Sequence, residues 1–207
     1  MANHGYMDPR PFAPASVRVT AFDGLSPQEI RAKLEAEVPL AKAVIRQSDF
    51  TSTLDLWDEA VDEMRATGTL DLADDVVVLL AALADPDAPM CITARSVAAG
   101  IPISSLAPYF CGDPSVTPDW GRAKAANAAL DILACAAEGT PLAAGPLAVK
   151  AHLAWLAGAG RNCRRLEEMA SDADPRESTV TFFSRQLNKA QGMSGWAREP
   201  RTAYPRH

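Results

Sequence analysis

The 207-residue sequence has few aromatic residues and no long apolar run. Phe, Trp and Tyr make up 6% of the chain, and charged residues, prolines or glycines interrupt every hydrophobic stretch before the roughly 20 residues that a bilayer-crossing helix needs. The sequence therefore predicts no transmembrane helix. Residues 1–14 contain Asp8 and three prolines but no apolar core, so we also expect no secretory signal and a cytoplasmic location.

Recognisable catalytic and cofactor motifs are missing as well. The glycines form neither the Gly-x-Gly-x-x-Gly nor the P-loop pattern, and neither a Gly-x-Ser-x-Gly elbow nor a His-Glu-x-x-His pair occurs. The four cysteines lie 20, 24 and 28 residues apart, without a histidine at metal-ligand spacing beside them. We interpret them as buried free thiols, with a disulfide or zinc site as the alternative, and predict no cofactor.

Alanine and helical periodicity dominate what is present. Ser26, Pro27 and Glu29 combine an N-cap, a proline at the first helical position and a capping-box glutamate, which predicts a helix from Pro27 to about Gln47 that Pro39 kinks or divides. Apolar residues recur at helical spacing in seven further segments: 53–66, 72–84, 89–99, 119–137, 147–157, 162–171 and 176–191. In the second of these, three consecutive valines leave a strand as the alternative.

These segments predict an all-α fold, an antiparallel helix-hairpin array or bundle with an irregular N-terminal arm. We assign residues 1–25 to the arm, 26–191 to the helical domain and 192–207 to a flexible basic tail. Residues 101–118 contain four prolines and one glycine, so they form the longest predicted irregular connection. Any internal domain boundary should lie there.

Five short segments between Leu72 and Gln191 form a characteristic series: VLLAALAD at 78–85, ALDIL at 129–133, HLAWLAGAG at 152–160, LEEMA at 166–170 and DP at 174–175. With this series the region resembles the C-terminal half of an actinobacterial family called domain of unknown function 4192, although Ala159 stands where that family has an acidic residue. The resemblance implies tetratricopeptide-like helical hairpins and a binding or accessory role. It carries no established activity.

Acidic residues cluster in the first half of the chain. Residues 1–100 carry a net charge of −8 and residues 101–207 a net charge of +2, and between Asp55 and Asp87 the only basic residue is Arg65. In the predicted second helix five carboxylates share one face: Asp55, Asp58, Glu59, Asp62 and Glu63. They could bind a divalent metal or share acid and base roles, but a solvated face or a docking surface for a basic partner is favoured. In that case reversing Asp58 and Asp62 to lysine should leave folding intact.

Basic residues are concentrated at the C-terminal end, where the predicted tail sequence also contains Trp196 and Tyr204. The candidates are Arg185, Lys189, Arg198, Arg201 and Arg206, opposed only by Glu199. Arginines neutralise phosphates and aromatic rings stack on bases, so nucleic acid is one candidate partner. The tail could equally pack on the acidic helix of the same or a neighbouring chain, or be a solvated terminus.

Three functions remain open from the sequence. The leading hypothesis is a non-catalytic helical interaction or accessory domain that binds another protein or itself. The first alternative is a nucleic-acid-associated accessory protein that uses the basic tail. The second is an enzyme with an unrecognised site, for which His152, the only histidine within a predicted helix, in a deep pocket beside a carboxylate would be the signature.

Overall fold

The computed structural model describes residues 22, 24–47, 50–68, 75–176 and 179–205. These residues are helical with no strand, which confirms the predicted all-α class. The α-helices in chain order are α1 Pro27–Gln47, α2 Phe50–Thr67, α3 Asp75–Leu83, α4 Ala88–Arg95, α5 Leu106–Cys111, α6 Trp120–Ala136, α7 Ala144–Leu156, α8 Gly160–Ala173, α9 Thr179–Gln191 and α10 Gly195–Arg198. Residues 1–21 and 23 of the predicted N-terminal arm lie outside the described residues.

Two helix starts that the sequence predicts are present in atomic detail. The Ser26 N–H donates to the Glu29 carboxylate at 2.7 Å, and the Glu29 N–H donates to Ser26 Oγ at 3.3 Å, which completes a capping box for α1. Asp119 Oδ1 accepts from the Arg122 N–H at 2.9 Å and caps α6. Pro39 does not divide α1, which continues to Gln47.

Helix α7 forms the centre of the molecule. Every residue from Gly145 to Leu156 is buried, and α7 packs against α3, α4, α6, α8 and α9. A Cβ atom placed on Gly145 would lie 2.4 Å from the carbonyl oxygen of Leu83, so α7 crosses the end of α3 at a distance that only glycine permits. After Gly158 the chain folds back into α8, and α7 and α8 form a helical hairpin.

Residues 101–118 are more regular than the sequence predicts. They contain a 3₁₀ turn at Ile103–Ser105 and helix α5, and Gly112 in the left-handed region ends that helix. Phe110 is buried and stacks on His152 of α7 with 4.0 Å between the ring centroids. The buried Phe110 ring therefore anchors this segment in the core.

The C-terminal residues also differ from the predicted flexible tail. Residues 194–204 are anchored on the rest of the protein, and Ser194, Trp196 and Thr202 are buried. The aromatic side chains that suggested base stacking are packing anchors instead. Arg206 lies outside the described residues.

No single helix among the described residues is long and apolar enough to cross a membrane. Helices α3 and α4 would satisfy length and composition only when taken together, and they are bent by 114° at the turn between them. All four cysteines are free thiols, as predicted, but only Cys163 is buried as expected: Cys91 and Cys111 are partly exposed and Cys135 is exposed. Burial raises the pKa of the Cys91, Cys111 and Cys163 thiols, which disfavours the reactive thiolate.

Candidate functional site

The acidic face predicted on α2 is divided between an internal ion network and an outward surface. Asp58 lies between two arginines, Arg95 of α4 and Arg122 of α6, and its two carboxylate oxygens accept from one guanidinium each. The Arg95 and Arg122 side chains are only 6% and 2% exposed. Asp58 therefore holds α2 against α4 and α6 and is not available to a partner.

The remaining hydrogen bonds of this network fix the Arg122 guanidinium and add a donor to Asp58, whereas Arg95 Nε is buried without a hydrogen-bond partner among the described residues. Arg122 Nη1 donates to Asp62 Oδ1 at 2.6 Å, and Arg122 Nε donates to the carbonyl oxygen of Arg95 at 2.7 Å. The Gly100 N–H adds a third donor to Asp58 at 3.0 Å. A lysine at 58 would place a third cation between the two buried guanidiniums. The structure therefore overturns the expectation that reversing Asp58 and Asp62 leaves folding intact.

Three of the five predicted acidic residues present carboxylates to solvent. Asp55 and Asp62 have side chains that are 60% and 63% exposed, and Glu59 is exposed between them. Asp55 lies 3.7 Å from Arg95, and Glu63 is half-buried. We call Asp55, Glu59 and Asp62 the acidic surface of α2.

His152 lies in the core of the molecule. Its Nε2–H donates to the carbonyl oxygen of Phe110 at 2.7 Å, which leaves Nδ1 to accept from the Ser184 hydroxyl. Burial lowers the pKa of His152 to about 4, and the hydrogen bond to the Phe110 carbonyl opposes this only in part. Its partners are a hydroxyl and a carbonyl, so the carboxylate contact that an acid–base site would use is not among them.

A second charged surface, which the sequence analysis did not single out, lies on α8. Arg161, Arg164 and Arg165 are exposed, and together with Glu168 they line an open concavity of about 430 Å³. The buried residues of α8 occupy the opposite side of the helix, facing α7. The spacing of the arginines at i, i+3 and i+4 was the available signal, because such residues share one helix face. We call Arg161, Arg164 and Arg165 the basic surface of α8.

The described residues of the predicted basic tail are spread over helix α9, helix α10 and the turn after α10. Arg185 and Lys189 are exposed on α9, where Arg185 Nη2 donates to Ser171 Oγ of α8 at 3.3 Å. Arg198 is exposed at the end of α10, and Arg201 pairs with Glu199 at 3.2 Å. The hydrogen bonds from Arg201 lower the pKa of Glu199, so this pair is satisfied locally.

Large apolar side chains are also exposed around α8 and α9. Met169 on α8, Phe182 and Phe183 on α9, and Met193 after α9 are each between 39% and 46% exposed. Phe182 and Phe183 contact each other edge to face, with 5.4 Å between the ring centroids. Exposed apolar groups beside charged ones are typical of a protein-binding surface.

Among the described residues no group of three or more His, Cys, Asp or Glu side chains is arranged to hold a metal ion. Comparisons with models of protein families, with curated proteins and with solved structures found no match to this chain. The resemblance to domain of unknown function 4192 therefore stays a prediction.

Proposed function

We propose that this chain is a non-catalytic helical interaction domain that associates with further copies of itself. The observation that carries the proposal is the pair of oppositely charged surfaces on one molecule, acidic on α2 and basic on α8. Helix α2 packs on α6, α6 on α7, and α7 on α8, and α2 and α8 are not among the closely packed helix pairs of the described residues, so the two surfaces are separate from each other. The acidic surface of one copy can therefore meet the basic surface of the next, head to tail.

Charge complementarity between these surfaces determines orientation more than affinity. An exposed ion pair contributes about 0.2–1 kcal/mol, so three such pairs give only weak association by themselves. Exposed apolar side chains near the arginines, such as Met169, would be buried in the contact, and the burial of apolar surface would strengthen association. Association should weaken with salt, because exposed charges are screened over about 8 Å at physiological ionic strength.

Charge reversal tests the proposal with the full chain. One variant carries Arg161→Glu and Arg165→Glu, and the other carries Glu59→Lys and Asp55→Asn. Each variant alone should lose the self-association that sedimentation detects for the wild type at low salt, because its two surfaces then no longer carry opposite charges. A mixture of the two should associate again, since the acidic surface of α2 that the first variant keeps can meet the basic surface of α8 that the second variant keeps.

The matched control is Arg198→Glu with Arg201→Glu, which changes the net charge as much as the α8 variant does. We expect this control to associate like the wild type. If the control loses association and the α8 variant keeps it, the C-terminal arginines supply the cations and the proposed surface is wrong. A wild type that stays monomeric at low salt and about millimolar concentration, or a mixture that does not associate, would also refute the proposal.

Two observations weigh on the alternatives. Trp196 is buried and Tyr204 packs edge-on against Trp120, so the nucleic-acid hypothesis loses the two rings that were to stack on bases. The enzyme hypothesis required His152 beside a carboxylate in a deep pocket, and His152 instead contacts Ser184 and Phe110 in the core.

A further inference from the structure

The C-terminal residues sit on the protein in the manner of a bound peptide. We call residues 194–204 the strap, and we call the surface beneath it the strap groove. The groove is formed by Tyr109 of α5, the turn 112–116, Trp120 of α6 and Leu156 of α7. The strap contains an anchor residue, a constrained glycine and a helix cap.

Trp196 is the anchor, and it is fully buried. Its indole N–H lies 2.6 Å from the Asp113 carbonyl oxygen and 2.9 Å from the Val116 carbonyl oxygen. Its main-chain N–H donates to the Gly112 carbonyl oxygen at 3.0 Å. A buried tryptophan whose indole N–H and main-chain N–H both donate to one turn resembles the aromatic anchor of a binding hot spot.

The residues before Trp196 permit little variation. A Cβ atom on Gly195 would lie 2.5 Å from the Gly112 carbonyl oxygen and 2.7 Å from Pro114, so any side chain there would clash with the groove. Ser194 is fully buried, and its hydroxyl donates to the Leu156 carbonyl oxygen at 2.7 Å while accepting from the Ala197 N–H at 3.0 Å. The groove thus selects Ser-Gly-Trp in three ways: Ser194 makes a side-chain hydrogen bond, only glycine fits at 195, and Trp196 is the buried aromatic anchor.

Residues 191–193 join the strap to α9, and their main chain makes few hydrogen bonds to the rest of the protein. Gln191, Gly192 and Met193 are exposed, and the main-chain N–H groups of Gly192 and Met193 donate only to Asn188 and Gln191, their near neighbours. Gly192 has φ +70°, and a Cβ atom placed on it would meet nothing within 4 Å. The hydrogen bonds that seat the strap begin at Ser194.

We propose that the strap groove is a recognition site for a short peptide segment built on Ser-Gly-Trp, and that the strap is its resident ligand. A ligand tethered by three residues has an effective concentration in the millimolar range, so a free segment competes poorly until the strap is weakened. The groove then accepts the same segment from solution. This inference does not depend on the charged surfaces of α2 and α8.

The test uses the full chain and a labelled synthetic peptide of residues 192–205, with binding followed by fluorescence anisotropy. In the Trp196→Ala chain the groove has lost its anchor, and we expect the peptide to bind at least about tenfold tighter than to the wild type, whose groove is filled. Peptides carrying Gly195→Ala or Trp196→Ala should not bind. A folded Trp196→Ala chain that ignores the wild-type peptide, or binds all three peptides equally, overturns the proposal.

A second variant protects the test against loss of folding. Gly195→Ala in the full chain keeps the tryptophan but drives the strap from the groove, and it should bind the wild-type peptide as Trp196→Ala does. Circular dichroism and melting establish folding for both chains. If neither folds, the segment is an integral part of the core and the proposal is wrong.

Discussion

Asp58 is the residue on which three helices depend. A guanidinium buried with a carboxylate is tolerated because the charges and hydrogen bonds offset desolvation, whereas removing one partner leaves an uncompensated charge. The sequence predicted the carboxylate but not its partners, because Arg95 and Arg122 are 37 and 64 residues away and no local pattern marks them. Long-range pairing of this kind follows only from the packed fold.

We predict that Asp58→Asn lowers the free energy of unfolding by about 3–5 kcal/mol, since both buried arginines lose their shared carboxylate. Asp55→Asn is the matched control, because Asp55 is exposed and makes one long contact, 3.7 Å, with Arg95. This substitution should lower the free energy of unfolding by less than about 1 kcal/mol. Urea unfolding of the two variants measures the difference. Equal effects would show that the network contributes no more than a surface pair.

His152 makes stability depend on pH. Its pKa is about 4 in the folded protein and 6.5 in the unfolded chain, so between these values the unfolded chain binds the extra proton. Stability is therefore fully present above pH 6.5 and falls by up to about 1.4 kcal/mol per pH unit as pH drops towards 4. Urea unfolding between pH 5 and 7 measures this slope.

The control for this prediction is His152→Gln, which should be less stable at neutral pH but should lose most of the slope between pH 5 and 7. Nuclear magnetic resonance offers a direct check, because the His152 ring should show no titration near pH 6.5. A normal titration there would mean that the side chain is solvated.

At the scale of single elements, helix α8 has positive side chains near its N-terminus, where the helix dipole makes them unfavourable. Arg161 lies in the first turn and Arg164 and Arg165 in the second, although the amino end of a helix favours negative charge. Ala159 at the N-cap makes no side-chain hydrogen bond that would offset this. A helix with such a start is less stable than its length would allow, and an acidic partner would relieve the repulsion.

We predict that Arg161→Glu raises the free energy of unfolding by about 0.3–1 kcal/mol while it weakens self-association. The control, Lys189→Glu in the last turn of α9, removes a favourable charge and should destabilise by a similar amount. Thermal melting and sedimentation give the two readouts. A variant that loses both stability and association would mean that Arg161 serves the fold alone.

Elements with their own local signals were predictable. The capping box at Ser26 and the cap at Asp119 placed α1 and α6 within one residue, because side-chain caps depend on neighbours in sequence. Helices α5 and α10 were missed, since they are short and lie among prolines, where local preference gives no helix. Residues that are distant in sequence stabilise them. Phe110 of α5 stacks on His152, and Trp196 of α10 donates a main-chain hydrogen bond to Gly112.

For the whole molecule, two separate surfaces of opposite charge have a consequence for how an assembly grows. A head-to-tail contact occupies the acidic surface of one copy and the basic surface of the other, so the pair still has one free surface of each kind. Association therefore continues beyond the dimer unless the copies close into a ring. The average mass should therefore keep rising with concentration rather than level off at twice 22.0 kDa. The candidate site itself became visible only at this scale, because Glu59 and Arg161 are far apart in sequence.

We predict that small amounts of the Arg161→Glu, Arg165→Glu variant shorten wild-type assemblies. This variant keeps the acidic surface and lacks the basic one, so it can occupy one end of a growing assembly without extending it. Sedimentation of mixtures at low salt measures the average mass, with the Arg198→Glu, Arg201→Glu protein as the control. If the α8 variant lowers the mass no more than this control does, the contact is not head to tail.

The close crossing at Gly145 limits what binding at one charged surface can change at the other. Turning α7 by one residue would bring Ala144 or Pro146 against the Leu83 carbonyl oxygen, where there is no room for a side chain. Helix α7, which supports α8, is thus locked in register with α3. We therefore expect each added copy to bind with the same affinity as the one before, so that assembly is isodesmic and shows neither a lag phase nor a critical concentration.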